Sequence, residues 1–281
     1  GGKQPECARV VRGLLNRISD SNCLAICRQI EEIFRQNARH EMVTTLQDLF
    51  RGICESNGRS FRPLSTVYAA VLTTLHQSLG TDVGGRLLDS CGAAFLAAYQ
   101  RGDLDTVGNY VIFFADLLHF GLFSADLLVD MMRLFVGSLD EFGVELAIVW
   151  VRHAGHGVRH SNPAALKELI VSLREAVLRR YPYITGDTPA PEDASVSRAR
   201  LQFMLDMVAD LKNNKQKLVS KPDLGPLMNR IFKGGAWRVS ADKAMRPTLD
   251  MLTATGTKRW WMEGAVLAVP RGQSGARSAD A

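Results

Sequence analysis

Apolar residues recur at steps of three and four along most of the chain. Between positions 23 and 34 they fall at Leu24, Cys27, Ile30, Ile33 and Phe34, with Arg28, Glu31 and Glu32 between them. That spacing lays an apolar stripe along one face of a helix. Ser21 and Asn22 stand just before it as candidate N-caps. Residues 10–18 predict another helix, separated from this one by the polar cluster Ser19-Asp20-Ser21-Asn22.

The alternation of amphipathic run and polar break continues. Residues 41–55 predict a helix ending at Ser56-Asn57-Gly58. Pro63 suits the first turn of a helix reaching Leu79, where no N–H donor is needed. Gly80 stops that helix, and Asp82 is placed to cap the next, which runs to Tyr99. Further helices are predicted over 106–120, 124–136, 140–158, 163–181 with Asn162 as cap, and 195–213, with a loop over 182–193. No stretch alternates with the period of two that a strand requires. The pattern is therefore all-α, with about ten helices. Short connectors make neighbours antiparallel, so the helices group into about five hairpins. Hairpins of roughly 35–45 residues have the length of HEAT-type repeats, and a HEAT-like α-solenoid is expected. A globular helical bundle is the alternative.

The division is 1–214 for the solenoid and 215–281 for an irregular, basic extension. In the extension Lys215, Lys217 and Lys221 follow Lys212, and Pro222, Gly225, Pro226, Gly234 and Gly235 interrupt any regular helix. Trp237, Trp260 and Trp261 are costly to leave in water, so they are expected to anchor the extension on the solenoid or on a partner. Residues 270–281 have a disorder-like composition. The chain starts at Gly1, so a piece of a longer protein is expected.

Composition sharpens this. Hydrophobic residues are 46% and charged residues 22%, the profile of a packed soluble protein. No apolar run reaches the roughly 18–20 residues of a membrane span. The net charge of +5 is split: residues 1–197 carry 19 Lys/Arg and 22 Asp/Glu, and residues 198–281 carry 15 and 7. A basic end on a slightly acidic body fits contact with phosphates or an acidic partner, and equally a solvated tail. Five cysteines scattered among apolar neighbours read as buried thiols in a reducing compartment.

Catalytic signatures are absent: no phosphate-binding glycine loop, no zinc-protease motif and no nucleophile elbow. His153, His156 and His160 could share a helical face and hold a metal, but Gly155 and Gly157 weaken that helix and Arg152 and Arg159 disfavour a cation. His119 is placed to finish a helix C-terminus, and Asp103 and Asp105 to serve caps and dipoles. No cofactor is implied, and the chain is not expected to be an enzyme. A solenoid without a pocket motif is a binding surface. Its informative residues are Asn16 and Arg17, which close the first helix beside Gly13. Ordinary helix termination also explains them.

Four stretches in order resemble the middle domain of translation initiation factor 4G. They are Arg12-Gly13-Leu14-Leu15-Asn16-Arg17-Ile18-Ser19, His119-Phe120, the run from Val151 to Arg159 followed by Pro163, Leu166 and Lys167, and the run from Arg200 to Asp206 continuing through Leu211-Lys212-Asn213-Asn214. Lys258-Arg259-Trp260-Trp261 is similar to an element found beyond that domain in the nucleolar Nom-one/Sgd-one branch, with Lys258 where that branch has Gly. A more distant resemblance is to the splicing factor Cwc-twenty-two.

The resemblance implies a HEAT-repeat solenoid that is not itself an enzyme. It implies a partner, a DEAD-box RNA helicase of the initiation factor 4A type, whose two lobes the domain holds in a productive orientation. Gly13, Asn16 and Arg17 fall on the family's helicase-contacting element. The nucleolar branch implies pre-ribosomal particles, small-subunit rRNA processing and a nucleolar address; no membrane partner is implied. Lys212, Lys215, Lys217, Lys258, Arg259, Trp260 and Trp261 are the expected contacts to RNA or partner. A second helical domain usual in that branch is missing from this chain. A spliceosomal or translational helicase scaffold, or a direct RNA-binding solenoid, are the alternatives.

Overall fold

A computed structural model describes residues 6–55, 61–186, 189, 191, 194–215, 244–253 and 260–261. The described residues form α1 (Glu6–Leu15), α2 (Cys23–Gln36), α3 (Arg39–Glu55), α4 (Phe61–Leu79), α5 (Thr81–Gln100), α6 (Leu104–His119), α7 (Asp126–Ser138), α8 (Glu141–His153), α9 (Gly155–Ser161), α10 (Pro163–Arg180), α11 (Arg198–Lys212) and a short α12 (Leu249–Thr253). A 3₁₀ turn, Pro182–Thr185, follows α10. The all-α expectation holds, and residues 258–259 and 216–243, with Lys217, Lys221 and Trp237, lie outside the described part.

Local chemistry sets the boundaries. Asp103, Asp140, Asn162 and Ser197 each accept a hydrogen bond from a backbone N–H three residues on, capping α6, α8, α10 and α11. Two expected caps act otherwise. The N-cap position of α5 is Gly80, and Asp82 sits in the first turn with its carboxylate facing Arg86. Asn22 occupies the N-cap position of α2 but makes no cap bond, because both ends of its amide are used by the preceding turn. α11 closes as a Schellman turn: Asn214 is left-handed at φ +59°, its N–H meets the Leu211 carbonyl, and the Lys215 N–H meets that of Asp210.

The predicted helix over 140–158 is two helices. The break falls at Ala154, and the following Gly155 lets α9 approach α11: a Cβ there would stand 2.6 Å from Leu211 Cδ2.

The helices stack as five hairpins in two layers. α1, α3, α5, α7 and α10 form one layer, and α2, α4, α6, α8 and α11 the other. Within the second layer each helix packs on the next, α2 on α4, α4 on α6, α6 on α8 and α8 on α11. This is the HEAT-like arrangement, and α9 bridges α8 and α10. In the first layer α5 and α7 meet through Phe135, whose ring lies 6.5 Å from Phe95 and 6.0 Å from Tyr99, while α12 packs on both helices.

The core runs between the layers. Trp150 is buried and its indole N–H donates to the Leu128 carbonyl at 2.8 Å. All five cysteines are buried, and burial raises the Cys54 and Cys91 thiols, Cys91 to about 12, so neither is a thiolate near neutrality. Among the described residues no helix is long and apolar enough to cross a membrane.

Candidate partner-binding site

The α1–α2 turn is built from Gly13 to Asn22. The Asn16 N–H closes the last helical bond onto the Arg12 carbonyl, and the Arg17 N–H bonds to Leu14. The Arg17 Nε donates back to the Gly13 carbonyl at 3.0 Å. Asn22 then pins the turn from the far side: its Nδ2 donates to the Arg17 carbonyl at 2.8 Å, and its Oδ1 accepts the Ser19 N–H at 2.7 Å. Asn16 and Arg17 are exposed, and a Cβ on Gly13 would meet nothing within 4 Å. The turn is thus a fixed, open platform carrying one amide and one guanidinium. Leu14, Leu15 and Ile18 are buried beneath it and hold it to the core.

The second candidate group lies elsewhere. Lys212 and Lys215 are exposed at the C-terminal end of α11, in the fifth hairpin, whereas the turn belongs to the first. The structure does not bring these two groups together. Positive side chains at that helix end also complement its dipole. Lys217, Lys258 and Arg259 lie outside the described residues.

The remaining motif stretches form joints. Arg200 forks onto the Glu145 carboxylate of α8, which raises its pKa, and its guanidinium carbon stands 5.3 Å from the centre of the Phe203 ring. Arg159 donates to Asn214, tying α9 to the end of α11. His119 is exposed in the last turn of α6 with its ring edge-on to Phe120. The break at Ala154 separates His153 from His156 and His160, and among the described residues no group of three or more His, Cys, Asp or Glu is placed to hold a metal.

The two tryptophans dock on α5. The Trp260 indole N–H donates to Asp89 Oδ1 at 3.2 Å, and that of Trp261 to Asp82 Oδ1 at 3.1 Å. Trp260 is only 8% exposed, so the chain itself takes up a side chain expected to face RNA or a partner. Burial pushes the Asp89 carboxyl up, and the Trp260 N–H only partly offsets it. Asp82 is also pushed up by burial, but the Trp261 N–H, Arg86 and Arg39 outweigh this and hold it below the usual carboxylate range. Sequence reasoning missed this receiving surface. Its signal was present: Gly85 and Gly92, two of the three glycines inside α5, alternate with Asp82 and Asp89 on one face.

A stack of helix hairpins with an exposed turn platform defines a scaffold class, and comparison with known proteins places it. The MIF4G domain family matches residues 8–215, and the chain belongs to that family. The suppressor of glycerol defect protein 1 of Schizosaccharomyces pombe is 29% identical, covering 94% of this chain and 35% of that protein. Human nucleolar MIF4G domain-containing protein 1 is 26% identical, covering 91% and 29%. A pre-mRNA-splicing factor CWC22 homolog of Caenorhabditis elegans is 24% identical, covering 73% and 21%. The chain spans about a third of the length of the first two of these relatives.

Proposed function

We propose that this domain is a non-catalytic scaffold that binds and activates an initiation factor 4A-like DEAD-box RNA helicase, acting in small-subunit ribosome biogenesis in the nucleolus. The observation that carries the reading is membership of the MIF4G family together with the pinned, exposed Asn16–Arg17 platform at the position where the resemblance puts helicase contact. A rigid platform loses little entropy when a partner lands on it. The scaffold can favour the helicase's closed, ATP- and RNA-competent state only by binding it more tightly than the open state. Contacts to both lobes would supply that difference, and a stack of five hairpins presents several turns on which to make them.

The nucleolar assignment is favoured over a splicing role by the extent of similarity. The nucleolar relative matches over 91% of the chain, a share too large for the residues of the family domain alone, whereas the splicing-named relative covers 73%. The test is the double variant Asn16→Asp with Arg17→Glu. Stimulation of the helicase ATPase is expected to be lost while the domain stays folded, because both side chains are exposed and a negative charge at the end of α1 costs only about 0.3–1 kcal/mol per residue. Full stimulation by the double variant would remove the site assignment.

A further inference from the structure

We infer that residues 244–253 with Trp260 and Trp261 form a strap that locks the joint between the third and fourth hairpins, so that the working scaffold is the MIF4G body plus this strap. The strap belongs to the molecule's own mechanics, whether or not a helicase is the partner.

The strap grips both hairpins. On the fourth-hairpin side, the Met245 N–H donates to the Leu122 carbonyl at 3.0 Å, and its carbonyl accepts the Ser124 N–H at 2.8 Å, in the connector that leads into α7. The Leu249 N–H at the start of α12 donates to Asp130 of α7 at 3.1 Å. On the third-hairpin side, Leu252 lies on Gly92, where a Cβ would stand 2.5 Å from its Cδ1. Trp260 bonds Asp89, and Trp261 bonds Asp82 while its ring lies on Gly85.

The α5 surface is shaped for this load. Asp82, Gly85, Asp89 and Gly92 fall at steps of three, four and three, so they share one face of the helix. Glycine is the poorest ordinary helix former, so two in one face weaken α5 unless something occupies the space they leave. An indole and a leucine occupy it. Asp82 and Asp89, which alternate with the glycines along that face, accept the two indole N–H groups, which are costly to bury unpaired.

The location gives the grip its consequence. Stacked hairpins bend at the interfaces between repeats, since each repeat contacts only its neighbours. Between α5 and α7 the first layer meets through Phe95, Tyr99 and Phe135, and α12 packs across both helices. A segment bonded to both sides of one such interface fixes its angle, and with it the spacing between the first and fifth hairpins.

The experiment compares the full chain with the variant Trp260→Ala/Trp261→Ala. Amide hydrogen exchange is read by region, and the first-to-fifth hairpin distance by electron spin resonance between nitroxides on Glu32→Cys and Arg174→Cys, both positions exposed. The expected result is exchange faster by about tenfold in residues 81–92 and 122–132, unchanged protection in residues 23–55, and a broadened distance distribution. Faster exchange confined to the strap would overturn the proposal, making the strap a passenger. A uniform rise across all hairpins would overturn it too, making the strap general core. If the double variant loses its helical circular dichroism, Trp261→Phe decides in the same terms: it keeps a ring on Gly85, removes the N–H to Asp82, and is expected to give a smaller rise in the same two regions.

Discussion

The Trp261 indole occupies the place of a side chain at Gly85: a Cβ on that glycine would stand 2.4 Å from the indole Cγ and 2.7 Å from its Cβ. A rigid ring held by its N–H cannot give way as the tip of a flexible chain does. Gly85→Ala in the full chain therefore sets a helix gain of about 1 kcal/mol against an overpacking cost of about 1–3 kcal/mol, and net destabilisation is expected. In the Trp261→Ala background the clash is gone and the same change is expected to stabilise by up to about 1 kcal/mol. Chemical denaturation of the four proteins completes the cycle. The same sign in both backgrounds would refute the contact.

Asp116 of α6 is buried and accepts the hydroxyl protons of two α4 residues, Ser65 at 2.8 Å and Thr66 at 3.2 Å. These bonds join the second and third hairpins inside the core, away from any surface a partner could use. Asp116→Ala leaves two buried hydroxyls without their acceptor and is expected to cost about 1–3 kcal/mol in thermal or denaturant unfolding. A loss below about 0.5 kcal/mol would mean that other groups replace the carboxylate.

Most of the architecture was legible in the sequence because the helices obey local rules. Pro63, Asn162 and Gly80 lie where their chemistry places a start or a stop, and the three-and-four apolar spacing put Cys27, Ile30 and Phe34 on the buried face of α2, where Glu31 is buried with them. The misses came from tertiary demands. Gly155 and Gly157 marked a weak stretch of the helix, but the break at Ala154 goes with a tertiary contact, the close pass of Gly155 over Leu211, a residue of the fifth hairpin far along the chain. Asn22 has the chemistry of a cap, yet a neighbouring turn offers it two better partners. The α5 receiving face left a signal in Gly85 and Gly92, but that signal acquires a meaning only once Trp261 and Leu252 lie on the two glycines.

His76 is buried in α4, and its Nδ1 has no hydrogen-bond partner among the described residues. It presses on Gly84, where a Cβ would stand 2.2 Å from that nitrogen. Burial lowers its pKa from 6.5 to about 4. The unfolded chain therefore takes up the proton first as pH falls. Stability is full above pH 6.5, declines as pH drops from 6.5 to about 4, and loses on the order of 3 kcal/mol across that window. His76→Leu is expected to flatten the decline, although it changes the packing on Gly84 and so shifts the plateau as well. Denaturation midpoints at pH 7 and pH 4.5 for both proteins check the slope, which is the quantity that carries the proton.

The asymmetry of charge needs a test that separates attraction from architecture. Deleting residues 220–281 would remove much of the positive charge, but it would also take Trp260 and Trp261 off α5, so weakened binding could come from either cause. Lys212 and Lys215 avoid this, being exposed at the end of α11, whereas the strap packs on α5 and α7. Their reversal, Lys212→Glu/Lys215→Glu, costs the end of α11 about 0.3–1 kcal/mol per residue through its dipole, and the neutral pair Lys212→Gln/Lys215→Gln costs less. If this end of the fifth hairpin meets phosphates, binding to a single-stranded RNA oligomer is expected to weaken. The plot of log affinity against log salt is then expected to flatten by about 0.7 for each phosphate that a lysine no longer neutralises. The glutamine variant would produce most of the change in slope, since a neutral side chain already forfeits the counterion release. An unchanged slope in both variants would mark these lysines as solvated helix-end charges and leave RNA contact, if any, to other parts of the chain.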